Sequence, residues 1–269
     1  MKKMINVYNE NAKINFKIVD AVTICLTGLE TFLKDLKNNL PDSLTRIIND
    51  LNVEYGKKED FGIQIDTKYD FLSEYPELIK RSINAILSFL NFSKYSQKSI
   101  HDEIEVEVID IIRTFNHFEY SFMTLLLNFM PREEVIEYIK RLADDVVHSR
   151  KDPTRYVENF DELIDRTRVN LERWQAQDVS FKNLNDEKFI YKVKKCRWAE
   201  TMKDLDHELS YYIICYTDFE NTKNLNPNFV LTRFKTKMMG DEFCDFCTHD
   251  TRKVKEIIHP SDEEFLDLN

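Results

Sequence analysis

The fold is decided by residues 187–249, which read EKFIYKVKKCRWAETMKDLDHELSYYIICYTDFENTKNLNPNFVLTRFKTKMMGDEFCDFCTH. Apolar side chains at alternate positions from Phe189 to Val193 are typical of a strand with one buried face. Helical spacing of apolar residues follows over 196–205 and again over 207–223. The stretch is therefore predicted to begin as strand, helix, helix.

The second half of this stretch is typical of a β-hairpin. The dipeptide Asn226-Pro227 ends the second helical pattern, because proline cannot continue a helix. Two β-prone runs, 229–238 and 242–249, flank Gly240, and a glycine between such runs indicates a tight turn. The order strand, helix, helix, hairpin predicts an α+β fold with a small antiparallel sheet.

Upstream of this stretch the chain is mostly helical, since apolar residues recur at three- and four-residue spacing from about residue 16 to residue 175. The six predicted helices are 16–38, 43–53, 75–92, 102–129, 132–148 and 158–174. Residues 62–66 predict one short strand. In the tail, residues 252–259 form either a short helix or a loose end.

The chain divides by texture into three parts. Residues 1–100 are a helical N-terminal region, and residues 251–269 are a charged tail. The main domain spans 101–250, with helices within 102–174 and the α+β part at 187–249. A helical region of this size is typical of a dimer surface, so a homo-oligomer is one expectation.

Composition and charge narrow the function classes. Lys and Arg number 38 against 48 Asp and Glu, giving a formal net charge of -10, whereas nucleic-acid-binding proteins gather cations. The 4 glycines are too scattered for a P-loop or a dinucleotide fingerprint. The longest apolar stretch, 122–130, is far shorter than a membrane span, and no export signal begins the chain. We expect a cytoplasmic protein with no nucleic-acid or membrane partner.

The cysteines show where chemistry is to be sought. There are five of them: Cys25, Cys196, Cys215, Cys244 and Cys247. An odd number without an export signal favours reduced thiols over a disulfide framework. Four of the five lie from Cys196 onward. Core packing is the alternative for each, because free cysteine is among the most buried residue types.

A signature of chemically distinctive residues covers 193–246. It has a Cys opening a helix, a second Cys three residues before an Asp, a Thr-Arg strand, and Gly-Asp followed by Cys-Asp-Phe. Its positions are Cys196, Cys215, Asp218, Thr232, Arg233, Thr236, Gly240, Asp241, Cys244, Asp245 and Phe246. This pattern resembles the L-2-amino-thiazoline-4-carboxylic acid hydrolase family. The resemblance implies that water adds to the amidine-like ring carbon of a cyclic isothiourea, which opens to an N-carbamoyl-cysteine.

The resemblance implies four catalytic candidates. Cys215 or Cys244 would be the nucleophile, Asp218 would hold the amidinium, and Asp245 would be a further acid. On a helix Cys215 and Asp218 share a face, whereas on a strand Cys244 and Asp245 point in opposite directions. The alternatives are a core position for Cys215, a solvated one for Asp218, and a tie across the hairpin for Asp245.

Three further residues are candidates for substrate binding. Arg233 is the best bidentate partner for a substrate carboxylate, with Thr232 and Thr236 beside it in sequence. Strand alternation would place both threonines on the face opposite Arg233. The alternative for Arg233 is a surface charge on an edge strand.

A metal site is the rival account of the cysteines. Cys244 and Cys247 have C-x2-C spacing, and tetrahedral zinc prefers sulfur and nitrogen ligands. The C-terminal pattern is also distantly similar to the four-vinyl reductase type of ligand-sensing domain, whose clustered cysteines bind zinc. Cys196, Cys215 and Cys244 would be the comparable ligands of zinc or another divalent metal. Otherwise no cofactor is implied.

Two functions therefore remain open. The first is a hydrolase acting on a C–N bond of a small cyclic amidine or isothiourea acid, such as 2-amino-thiazoline-4-carboxylate. The second is a non-catalytic module of the same fold that binds a small molecule or a metal. In both cases the expected partner is a small molecule.

Overall fold

The computed structural model describes residues 2–6, 8–65, 68–95, 99–149, 152–184 and 186–268. It confirms the α+β class. The chain divides into two compact units, one of residues 13–142 and one of residues 1–12 with 143–269. The three-part division drawn from the sequence at residues 100 and 250 stays a prediction. Within the described ranges, no helix is both long and apolar enough to cross a membrane.

The elements follow one another as helices and strands in both units. In chain order they are β1 (Lys2–Asn6), β2 (Lys13–Lys17), α1 (Ile18–Asn39), α2 (Pro41–Tyr55), α3 (Pro76–Phe89), β3 (Glu103–Glu107), α4 (Val108–Met123), α5 (Arg132–Ser149), α6 (Phe160–Trp174), β4 (Gln177–Leu184), β5 (Lys188–Cys196), α7 (Arg197–Met202), α8 (His207–Ser210), α9 (Asp218–Leu225), β6 (Phe229–Thr232), β7 (Cys244–Asp250) and α10 (Asp262–Leu266).

The unit of residues 13–142 is mostly helical, as predicted. Helix α1 buries one stripe at three- and four-residue spacing, formed by Leu26, Leu29, Phe32, Leu33 and Leu36. Helices α2 and α3 each begin with a proline, whose fixed φ suits the first helical position. The sequence predicted α1, α2, α3, α5 and α6, with ends within a few residues.

A two-stranded antiparallel sheet replaces the predicted start of the helix at 102–129. Strand β2 pairs with β3, where Ile104 and Val106 are buried between exposed glutamates. Lys13 Nζ lies 2.8 Å from Glu105 Oε2 across the pair. The period of two in EIEVE is strand spacing, so the prediction of a helix there was wrong. The short strand predicted at 62–66 is also absent over 62–65, and residue 66 lies outside the described residues.

The other unit is built on a five-stranded antiparallel sheet of order β1-β4-β5-β7-β6. Helix α6 packs its apolar stripe on one face, where Phe189 and Val193 of β5 are buried. The opposite face carries a smaller cluster with Ile190, Cys247 and Phe265. This arrangement confirms the alternation predicted for β5.

The sequence missed β1 and β4. In β4, Val179, Ser180 and Phe181 are buried in succession, because the strand is covered on both faces at its centre. Alternation is then lost, and the segment resembles a boundary between helical and β textures rather than a strand.

The predicted helix at 207–223 is broken in the structure. It begins as α8, continues as a wider π turn at Tyr211–Cys215, and resumes as α9. Tyr216 N donates to Tyr211 O at 3.0 Å, which is the i to i+5 bond of such a turn. The prediction of one continuous helix was therefore wrong, and Asp218 opens a new helix.

The hairpin prediction is confirmed for the pairing and wrong for its length. Strands β6 and β7 pair antiparallel, and Gly240 adopts a φ of 94° at the turn, which favours glycine. However, β6 ends at Thr232, because Asp245 and Asp241 accept the backbone N–H groups of residues 234–236. Residues 252–259 are not helical. A short helix, α10, follows them, with Ser261 as its cap.

Candidate active site

A cavity of about 250 Å³ lies on the α6 side of the five-stranded sheet. Helices α6 and α9 and strands β5, β6 and β7 contribute to its lining. Four aromatic side chains form much of the wall: Trp174, Phe189, Tyr191 and Trp198. Three amides, Asn170, Gln177 and Asn221, add donors and acceptors. The site is small, since pockets for drug-sized ligands are typically about 300–1,000 Å³.

Asp218 is the charged residue of this cavity. Its Oδ2 accepts a hydrogen bond of 2.7 Å from Arg233 Nη1, and no described residue donates to its Oδ1. The side chain keeps 41% of its surface exposed, and that surface adjoins the cavity rather than the outer surface of the sheet. Burial raises the pKa of Asp218, and Arg233 opposes this shift. Asp218 is therefore an acid or base with one open oxygen.

Arg233 holds Asp218 from behind the cavity wall. Its side chain is 1% exposed, and Nη2 donates to Cys215 O at 2.9 Å. The guanidinium carbon lies 4.8 Å from the ring centre of Phe246 and 5.2 Å from those of Tyr211 and Phe219. Burial lowers the pKa of Arg233, but Asp218 raises it further, so the net direction is upward.

These contacts use both terminal nitrogens of Arg233, and the Nε atom is buried without a partner. The predicted grip of Arg233 on a substrate carboxylate stays a prediction. In the structure its carboxylate partner is Asp218.

Three thiols surround the ion pair closely enough for their charges to interact: Cys196, Cys215 and Cys244. Burial raises the pKa of the Cys196 and Cys215 thiols, and raises that of Cys244 to about 12. Cys244 Sγ accepts from Lys237 N at 3.2 Å and lies 3.6 Å from Thr236 Oγ1. Each thiol is therefore protonated at neutral pH.

The metal account finds no site in the described part of the chain. No group of three or more His, Cys, Asp or Glu side chains is arranged there to hold a metal ion. A zinc ligand must be a thiolate, whereas Cys196, Cys215 and Cys244 have raised pKa values. Zinc or another divalent metal stays a prediction.

The opposite face of the sheet carries a separate polar network. His259 Nε2 lies 3.1 Å from Asp245 Oδ2, and its Nδ1 lies 2.7 Å from Thr232 Oγ1. The same hydroxyl lies 2.9 Å from His249 Nε2. Asp245 Oδ1 accepts the N–H groups of Phe234 and Lys235 at 2.9 and 2.7 Å. Asp245 thus ties the loop that follows β6.

The structure brings some candidates together and separates others. Asp218 and Arg233 meet, with Cys196, Cys215 and Cys244 around them. Asp245 lies on the other face from Cys244, as strand alternation predicted, and Thr232 lies with Asp245. Thr236 contacts Cys244 instead of sharing a face with Thr232, because β6 has ended before it.

Sequence reasoning missed the cavity wall and His259. The residues Asn170 and Trp174, four apart near the end of α6, share a helix face and were the available signal. Trp198, Gln177 and Asn221 come from three different segments, and only the fold brings them together.

Comparison with known proteins agrees with the resemblance in the signature. The family model for L-2-amino-thiazoline-4-carboxylic acid hydrolase matches residues 116–248, just under half of the chain. The match contains Asp218, Arg233 and every residue of the cavity wall, and it supports a hydrolase-like function. Comparison with curated protein sequences gives no match.

Two solved structures overlap much of the chain with low similarity. One is the unliganded Fe(II) H-NOX protein from K. algicida, with 10% identity over 91% of this chain and 100% of that chain. The other is a point mutant of it, with 12% identity over 87% and 97%. Both have a TM-score of 0.28, and the likeness carries no argument about fold or ligand.

Proposed function

We propose that this chain hydrolyses a small cyclic amidine or isothiourea acid, such as 2-amino-thiazoline-4-carboxylate, and that the substrate binds in the cavity at Asp218. The proposal takes the hydrolase family match over residues 116–248 as its premise. The observation that carries it is the open Oδ1 of Asp218 beside a cavity of about 250 Å³ with aromatic walls.

The cavity suits a planar, positively charged ring. The amidinium group would donate to Asp218 Oδ1, while the faces of Trp174, Trp198 and Tyr191 offer cation–π contacts. Arg233 fixes the other carboxylate oxygen and favours the ionised form. The amidine carbon would thereby be held beside a carboxylate of fixed orientation.

Asp218 is the best candidate for general base. It would take a proton from water while the water oxygen bonds to the ring carbon, and then return the proton to the leaving atom. In an isothiourea ring the leaving atom is sulfur. The C–S bond therefore breaks, and the product is a ureido thiol that contains one added water. A C–N bond breaks only where both ring heteroatoms are nitrogen.

The raised pKa of Asp218 suits this role, because a general base works best when its pKa lies nearer the working pH. The buried, protonated thiols suit the nucleophilic role less, since the thiolate is the reactive form. The proposed mechanism therefore places Asp218 ahead of Cys215 and Cys244, the candidates named by the signature.

The test is turnover of 2-amino-thiazoline-4-carboxylic acid, followed by liquid chromatography with mass detection. We expect the wild type to add one water, and Asp218→Asn to lose at least about 100-fold in kcat/KM. Asp165→Asn is the matched control, because Asp165 lies on α6 with an exposed side chain and does not line the cavity. Full activity in Asp218→Asn would contradict the mechanism.

A second variant separates lost chemistry from lost folding. Asp218→Asn leaves the buried Arg233 without its charge partner, which can destabilise a protein by about 3–5 kcal/mol. The double variant Asp218→Leu with Arg233→Met removes both charges, and such replacements are often neutral for stability. We expect it to fold and to be inactive. Binding of the substrate by wild type without turnover would favour the non-catalytic module.

A further inference from the structure

The cavity offers a ligand one anion and no cation. Of the described residues that line it, only Asp218 is ionised at neutral pH, and no Lys, Arg or His is among them. The remaining polar side chains are amides, hydroxyls and the phenol of Tyr191, whose pKa is raised well above its ordinary value by burial. The lining is thus selective for positive charge.

A carboxylate on the ligand would have no charged partner in this cavity. Arg233 lies behind Asp218 and does not line the cavity, and its terminal nitrogens already bind Asp218 and the carbonyl of Cys215. Removing a carboxylate from water without a cation is costly, and it would also lie near the Asp218 carboxylate. The ligand carboxylate is therefore unfavourable here.

The walls match the remaining part of such a ligand. Trp174 and Trp198 meet edge to face, with ring centres 6.4 Å apart at 61°, and Phe189 and Tyr191 stack with centres 5.7 Å apart. Flat aromatic surfaces attract planar cations. The amide oxygens of Gln177 and Asn221 can accept further N–H groups.

We propose that the cavity selects a small planar cation without a carboxylate, the simplest example being 2-amino-2-thiazoline, over the corresponding 4-carboxylate. This inference rests on the proposed function, because it assumes that the cavity at Asp218 is the substrate site. The reaction is otherwise the same: one water adds to the ring carbon, the C–S bond breaks, the sulfur takes the proton, and a mercaptoethyl urea forms.

The experiment compares 2-amino-2-thiazoline with 2-amino-thiazoline-4-carboxylic acid on the same full-length protein. Binding is measured by isothermal titration calorimetry and turnover by mass detection. We expect the carboxylate-free compound to have a Kd at least about tenfold lower and a higher kcat/KM. A tenfold preference for the 4-carboxylate would overturn the inference and leave the proposed function standing.

A charge-adding variant tests the cause of the preference. Asn170 is an exposed residue of the cavity lining, so Asn170→Lys would supply the missing cation, and Asn170→Gln is the matched control. We expect Asn170→Lys to gain affinity for the 4-carboxylate and Asn170→Gln to behave as wild type. Equal discrimination in all three proteins would overturn the inference.

The outcomes for the two proposals are distinct. If neither compound binds or is hydrolysed by folded wild-type protein, the proposed function fails and the inference fails with it. If the cation binds without turnover, the selectivity of the cavity is supported and the hydrolytic function is overturned.

Discussion

Two opposing electrostatic effects act on Asp218. Burial raises its pKa, while the guanidinium of Arg233, 2.7 Å from Oδ2, lowers it. Their balance leaves a carboxylate that is more basic than an exposed one and yet held in one orientation. Because the base must be ionised to accept a proton, the activity should fall as pH falls through the pKa of Asp218.

The first prediction concerns Arg233→Met. Without the cation the pKa of Asp218 should rise further, so the acid limb of the kcat/KM profile should move to higher pH by about one unit or more. The measurement is kcat/KM for the thiazoline across a pH series. Arg168→Met is the control, because Arg168 pairs with Asp165 away from the cavity. An acid limb at the wild-type position would show that Arg233 does not tune the base.

The second prediction concerns His249, which is 0% exposed. Burial lowers its pKa to about 4, with Lys188 and His259 adding to the shift, whereas an unfolded histidine titrates near 6.5. Between these two values the unfolded chain binds the proton and the folded chain does not. Stability is therefore fully present above pH 6.5 and is lost as pH falls toward 4, by roughly 2–3 kcal/mol.

Urea unfolding at pH 7 and pH 4.5 checks this prediction. His249→Gln should lose less stability than wild type between the two pH values, because the variant has no proton to gain there. His101→Gln, at an exposed position, should behave as wild type. The nearby titratable groups, Asp245, His259 and Lys188, are unchanged in both variants. An identical pH dependence for His249→Gln and wild type would contradict the account.

The loop between β6 and β7 depends on Asp245 on one face and presents Arg233 on the other. Asp245 is 2% exposed and accepts from two backbone N–H groups and faces His259. Its removal would leave these groups without a partner in a buried place. We therefore regard Asp245 as a positioning residue for Arg233, which immediately follows β6.

The third prediction follows from this tie. Asp245→Ala should reduce stability by roughly 2–4 kcal/mol and should also lower kcat/KM, although Asp245 does not line the cavity. Hydrogen exchange should increase over residues 233–243. Glu242→Gln, an exposed position in the same loop, is the control. Loss of stability with unchanged kcat/KM would show a structural role alone.

The same loop shows how far sequence can predict an element. Helices α5 and α6 and strand β5 each carry one unmixed period, and the sequence predicted all three. The run 229–238 also looks like one strand, but its pairing is interrupted by carboxylates at positions 241 and 245. Such side-chain bonds to the backbone depend on where distant residues fold, and local pattern does not contain that information.

The candidate site was predictable to a similar degree. The signature identified Asp218 and Arg233, and strand alternation separated Cys244 from Asp245. The pairing of Asp218 with Arg233 was not predicted, because it requires the π turn that ends at Cys215. The cavity wall was also missed, since its aromatic and amide residues come from segments far apart in sequence.

The whole chain keeps its thiols out of solution. All five cysteines are free, four are buried, and Cys215 is partly buried. Burial raises the pKa of every one of them, including Cys25 and Cys247. Low exposure and a protonated sulfur both slow attack on a disulfide reagent. The native protein should therefore be nearly unreactive, although five thiols are present.

The final prediction is a thiol count with Ellman's reagent at pH 7.5. Native protein should release well under one equivalent within minutes, and protein in guanidinium chloride should release five, one for each cysteine. Cys215→Ser should abolish any slow native phase, because Cys215 is the most exposed of the set, whereas Cys25→Ser should leave that phase unchanged. A fast native phase that is lost in Cys215→Ser or Cys244→Ser would identify a thiolate beside Asp218. Nucleophilic catalysis by that cysteine would then replace general-base catalysis as the favoured mechanism.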